Sequence, residues 1–196
     1  MFRNAPGGCP QWHIKGNAQR LINGTSGGGE MLFTTSDGEV HDTPERWDLL
    51  IAFPPCTYMT IAGAVRMVVN GEVQAERYAK AMQAKAFFLS FYNANCDKIA
   101  IENPTPMKMI GLPQYDCVIQ PYEFGHPYSK RTCLWLKGLP PLFPTEILSY
   151  HEPYVNGGSK DANGNYRRFQ GRSERDPKVR SKTFPGIAKA MAEQWG

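Results

Sequence analysis

Short apolar runs separated by proline- and glycine-rich breaks set the rhythm of the chain. One run, Trp47-Asp48-Leu49-Leu50-Ile51-Ala52-Phe53, stops abruptly at Pro54-Pro55, and Cys56-Thr57-Tyr58 follows at once. A short apolar run closed by a turn signal predicts a buried strand. Neither proline can continue a sheet ladder, so Cys56 falls in the loop just past the strand's carboxyl end. In open parallel sheets that edge is where ligands bind.

The span from Val73 to Asn95 carries the clearest helical pattern. Tyr78, Met82, Ala86, Leu89 and Tyr92 recur at three- and four-residue steps, with Glu76 and Lys80 paired on the polar side. Lys98-Ile99-Ala100-Ile101 then predicts a second strand, ending at Glu102-Asn103-Pro104. Strand, helix and strand make a right-handed crossover between parallel strands. Cys56 and Glu102 are therefore expected at the carboxyl ends of neighbouring strands, facing one crevice. Further on, Phe124-Gly125-His126-Pro127-Tyr128-Ser129-Lys130-Arg131-Thr132 leads into the strand-like Cys133-Leu134-Trp135-Leu136. Alternation puts Lys130 and Thr132 on one face and Arg131 on the other, so one cation of the two can address the crevice.

A thiol, a carboxyl group and a cation suit addition to a pyrimidine ring. A thiolate can add at electron-poor carbon 6, which makes carbon 5 nucleophilic. A carboxyl group at the ring's nitrogen edge stabilises the adduct, and a cation holds the ring and favours the thiolate.

These segments resemble the cytosine-5 DNA methyltransferases, and more closely their compact phage and prophage branch. The matching stretches are Phe53-Pro54-Pro55-Cys56-Thr57-Tyr58, Ile101-Glu102-Asn103-Pro104, the segment from Tyr122 to Arg131, and Phe184-Pro185-Gly186-Ile187-Ala188-Lys189-Ala190-Met191-Ala192. The resemblance implies a Rossmann-like α/β domain with a mixed sheet spanning residues 1–196. It implies Cys56 as nucleophile, Glu102 at the ring edge and Lys130 or Arg131 as the gripping cation. Residues from Thr57 to Gly71 would form a loop that closes over an extruded base. The implied donor is S-adenosylmethionine, bordered by Asn17, Pro54, Pro55, Pro185 and Gly186. Asn17 follows Trp12-His13-Ile14, read as a strand, and stands where the family has an aspartate. The family's first βαβ unit, roughly 30 residues, has no counterpart after Met1. The fold is therefore expected without its first two strands, and the donor site incomplete. Gly24-Thr25-Ser26-Gly27-Gly28-Gly29 reads as a flexible loop rather than a replacement.

Bulk properties agree with one globular domain. The 196 residues are 41% hydrophobic and 20% charged, with no apolar run of membrane-spanning length and no basic-then-apolar leader. Five scattered cysteines without Cys-x-x-Cys spacing suggest thiols in a reducing cytoplasm and no metal site. The resemblance implies that this is the cytoplasm of a bacterial or phage-infected host. Charge is uneven: Lys160 to Lys189 holds nine Lys or Arg against three acids. Tyr166 and Phe169 lie among these cations. Residues 156–182 thus suit contact with the phosphate backbone of DNA, or form a solvated basic linker. The resemblance implies a small target-recognition module within the wider span Leu136 to Lys182. The expected partner is DNA, bound by a monomer. The final stretch, Ile187 to Trp195, predicts a helix with Ile187, Met191 and Trp195 on one face. Three alternatives stand beside this reading: an enzyme on free pyrimidine nucleotides, an amino-methyltransferase, and a non-catalytic protein that binds DNA or a host protein.

Overall fold

The structure, a computed structural model, describes residues 9–14, 16–154 and 181–196. An antiparallel hairpin comes first, β1 (Leu32–Thr34) with β2 (Val40–Asp42). Next come β3 (Leu50–Ala52), the one-turn helix α1 (Ala64–Met67), a small hairpin of β4 (Val68–Val69) and β5 (Glu72–Val73), and the long helix α2 (Ala75–Tyr92). The described elements end with β6 (Ile99–Pro104), β7 (Cys117–Ile119), β8 (Tyr128–Ser129), β9 (Thr132–Lys137), β10 (Glu152–Pro153) and α3 (Pro185–Trp195).

Four strands make the central sheet, in the order β3-β6-β9-β7. β3 and β6 are parallel, while β9 runs antiparallel to both of its neighbours, so the fold is α/β with a mixed sheet. Alternation along β6 sends Ile99 and Ile101 to one face and Ala100 to the other. On the first face Phe88 and Phe91 of α2 join Ile99, Ile101 and Trp135, and the Phe88 and Trp135 rings meet edge-on at 5.0 Å. On the second face Ile187, Met191 and Trp195 of α3 join Ala100, Ile119 and Leu134, as the spacing of that helix predicts. Helices therefore bury both faces of the sheet.

Several local expectations need correction. Of the apolar positions expected on one face of α2, Met82, Leu89 and Tyr92 pack against the core beside fully or largely buried Ala81, Phe88 and Phe91, whereas Tyr78 and Ala86 face solvent. β6, by contrast, ends at Glu102-Asn103-Pro104 as expected, and β9 pairs with that end through Glu102↔Leu134, Asn103↔Cys133 and Pro104↔Thr132. Trp12 is not in a strand: Pro10–Trp12 is a 3-10 turn with Trp12 80% exposed, and Ile14 alone bridges to Thr35. The Gly24–Gly29 stretch is a packed turn, closed by Gly29 N–H to Gly24 O at 2.8 Å and tied to Glu45 by Ser26 N–H at 3.1 Å. Gly24 has φ +61, and a Cβ there would approach the Glu45 carbonyl oxygen to 2.3 Å. Glycine is required at that position. Among the described residues no strand pairs with the outer edge of β3, and no helix is long and apolar enough to cross a membrane.

Candidate active site

The parallel ladder closes at Ala52↔Ile101, so the chain leaves β3 where Glu102 and Asn103 continue β6. Pro54 and Pro55 lack backbone donors, so the link between these segments falls to a side chain. Asn103 supplies it: its Nδ2 donates to the Pro54 carbonyl at 2.9 Å, with Asn103 1% exposed. Half-buried Cys56 opens the next turn, closed by Met59 N–H to the Cys56 carbonyl at 3.1 Å. Met59 is fully buried, and its carbonyl accepts from Met107 N–H at 2.8 Å. Ile61 N–H donates to the Thr105 carbonyl at 3.0 Å. The turn that carries the thiol is therefore fastened on both sides to the strand that carries Glu102 and its continuation.

Glu102 shares its face of the sheet with its partner Leu134 and with Thr132. Burial pushes its carboxyl above the usual glutamate range, and the nearby Lys130 charge pulls it partly back. The net effect extends the protonated form, which can donate a hydrogen bond, to higher pH than in an ordinary glutamate. The Lys130 backbone N–H is held by Gln120 Oε1 at 2.8 Å, and the Lys130 carbonyl accepts from the Thr132 hydroxyl at 3.0 Å. Its ammonium group lies 5.9 Å from the centre of the Phe184 ring. Arg131 turns to the other face. Its Nε donates to Thr105 Oγ1 at 3.2 Å and its Nη2 to the Tyr115 hydroxyl at 3.0 Å, with the guanidinium over the Tyr115 ring. Of the two cations considered, Lys130 is the one that acts on Glu102.

The residues assigned to the donor fare differently. Pro54 is buried and Pro55 exposed beside Cys56. Pro185 opens α3 next to Phe184, so Pro185 and Gly186 lie near Lys130. The Gly186 N–H, however, is taken by His126 Nε2 at 2.9 Å. Asn17 is not brought to this edge at all. Its Oδ1 caps a 3-10 turn through Gln19 N–H at 3.1 Å, and Gln19 reaches Ser90 in the last turns of α2. That end of α2 feeds the start of β6, at the sheet edge opposite Cys56 and Glu102. Asn17 is therefore a local cap here, favoured by the geometry of asparagine at such positions.

Two structural contributors, Asn103 and Arg77, are not singled out by the sequence pattern. The basic stretch 156–182, with Tyr166 and Phe169, lies outside the described residues except for Ser181 and Lys182. Among the described residues no group of three or more His, Cys, Asp or Glu is placed to hold a metal ion. No protein-family model matches the chain, and neither does any curated protein or solved structure.

Proposed function

We propose that this chain is a DNA cytosine-5 methyltransferase-like protein that engages cytosine through Cys56, Glu102 and Lys130. One observation carries the reading: the thiol-bearing turn is tied by Asn103 to the strand that bears a half-buried Glu102, whose carboxyl pKa is raised above the ordinary range by burial, with Lys130 acting on it. A protonated Glu102 would donate to cytosine nitrogen 3 and draw electron density from carbon 6. The Cys56 thiolate would then add at carbon 6 and leave carbon 5 nucleophilic, while Lys130 offsets charge at the ring edge. A base must leave the helix stack to reach such a crevice. The mixed sheet, with β3 parallel to β6 and β9 reversed, suits a Rossmann-like methyltransferase domain.

S-adenosylmethionine would supply the methyl group when bound. The residues assigned to it do not assemble into a site for it: Asn17 caps a turn at the opposite edge, and the Gly186 N–H is committed to His126. The chemistry that this chain's own residues supply therefore ends at the carbon-6 adduct. The same commitment favours a second reading, a protein that binds DNA or a host protein without transferring methyl.

Two measurements test the proposal. DNA carrying 5-azacytosine, whose carbon 6 is more electrophilic, should form a covalent complex mapping to Cys56 and lost in Cys56→Ser. Absence of any adduct, or an adduct with free nucleotide in preference to DNA, overturns the reading. Calorimetry with S-adenosylhomocysteine then separates the two versions: micromolar binding supports a transferase, and adduct without binding supports the binding protein.

A further inference from the structure

Thr57 and Tyr58 fill the middle of the Cys56–Met59 turn, and the side chain that reaches them comes from the start of α2. Arg77 Nη2 donates to the Thr57 carbonyl at 3.3 Å, and the guanidinium carbon lies 5.1 Å from the centre of the Tyr58 ring. The same Nη2 occupies the space beside buried Gly63, where an added Cβ would approach it to 2.9 Å. Arg77 Nε is buried without an acceptor. The guanidinium is thus placed by what it grips rather than by full use of its own donors, an arrangement with an energetic cost. Its scaffold is firm, since Ala81 and Phe88 of the same helix are fully buried in the core.

We infer that Arg77 is a positioning residue that holds the Cys56–Met59 turn, and with it the thiol, against α2. The inference rests on the reading of Cys56 as the reactive thiol. Arginine suits the task because its planar group can cover the Tyr58 ring with one face while its edge donates to Thr57. Gly63 is part of the device, because any side chain there displaces the guanidinium from Thr57. A rigid helix, one guanidinium and one missing side chain together set where the thiol points.

The test reads the turn without requiring methyl transfer or DNA. Cys56 in the full chain is alkylated with iodoacetamide, and its rate is followed by peptide mass spectrometry, with exposed Cys9 as the internal reference. Arg77→Ala and Gly63→Ala are each expected to accelerate Cys56 severalfold and leave Cys9 unchanged, with Arg77→Lys in between. The double variant should react no faster than Arg77→Ala, because both changes remove one contact. Should Arg77→Ala fail to fold, Gly63→Ala decides, since its closest clash is with the flexible end of the Arg77 side chain at 2.9 Å and the Thr57 carbonyl, at 3.3 Å, needs to give by only a few tenths of an ångström. An unchanged Cys56 rate in folded Gly63→Ala, or additive effects in the double variant, overturns the proposal. A chain that forms no adduct with 5-azacytosine DNA ends the catalytic reading of Cys56, while the alkylation rates still decide the role of Arg77.

Discussion

Asn103 donates through Nδ2 to the carbonyl of Pro54 across 2.9 Å, and this buried bond joins the end of β6 to the turn that presents Cys56. The ladder cannot do so, since β3 ends at Ala52 and two prolines follow. Asn103→Ala leaves a buried carbonyl without its donor. The expected loss is about 1–3 kcal/mol, the penalty of an unmade buried hydrogen bond. Urea unfolding measures it, and the 5-azacytosine adduct should fall in conditions where the variant is still folded. A loss under about 0.5 kcal/mol, typical of a neutral surface change, with a normal adduct would show that the turn holds itself.

Glu102 should make the protein less stable as pH rises. Its folded pKa lies above the ordinary value of 4.5, chiefly through burial. In the window above 4.5 the unfolded carboxyl has released its proton while the folded one retains it. The folded state then binds more protons, so stability falls with increasing pH across that window. Glu102→Gln removes the titration. Its melting temperature should exceed that of the parent at neutral pH and vary less with pH, although its adduct with 5-azacytosine DNA is lost. Parallel melting profiles for the two proteins from about pH 4 to about pH 8 would remove the basis for a protonated Glu102.

Lys130 and Arg131 are adjacent in sequence and separated in task. Lys130 acts on Glu102, whereas Arg131 bonds Thr105 and Tyr115 on the other face. Lys130→Ala should therefore suppress the adduct strongly with little change in stability. Arg131→Ala should lower stability slightly, by about 1 kcal/mol or less as for exposed polar contacts, and keep most of the adduct. Equal suppression by both variants would contradict this division, and rates of adduct formation at fixed DNA concentration decide it.

How much of this was legible in the sequence depends on the range of the interaction. The βαβ unit and α3 follow from local periodicity, and β3, β6 and α3 form where the pattern of Leu50–Ala52, Ile99–Ile101 and Ile187–Trp195 places them. Alternation alone divides Lys130 from Arg131, and the partners of each then show which one faces Glu102. The end of β6 at Glu102-Asn103-Pro104 was legible, but its antiparallel pairing with β9 was not, because the partner lies more than twenty-five residues on. The widening of the α2 stripe to Ala81, Phe88 and Phe91 was hidden for a similar reason, since partners distant in sequence bury those positions alongside Met82, Leu89 and Tyr92. Asn17 misleads because a cap and a ligand contact use the same side-chain oxygen, and only the fold shows that Gln19 takes it. The hairpin of β1 and β2 leaves Leu32 and Val40 exposed, so its sequence lacks a buried period to read.

Gly186 offers a test of how tightly α3 is seated beside the site. A Cβ at this position would lie 2.0 Å from the Phe124 carbonyl oxygen and 2.9 Å from His126 Nε2. Backbone cannot swing away as a side chain can, and Phe124 is itself buried at 3% exposure. Gly186→Ala must therefore displace the first turn of α3, and with it the buried contacts of Ile187. A loss beyond about 3 kcal/mol is expected, in the range of core disruption. His126→Ala is the comparison, since it removes the acceptor of the Gly186 N–H and a 5.1 Å ring contact with Phe184 without crowding the backbone. That N–H sits in the first helical turn, where water can replace the imidazole, so a loss of about 1 kcal/mol is expected. Urea unfolding of the two variants side by side gives the comparison. A large gap means that Gly186 is fixed by close approach to Phe124. Equal, small losses would mean instead that α3 can shift at its start without disturbing the sheet.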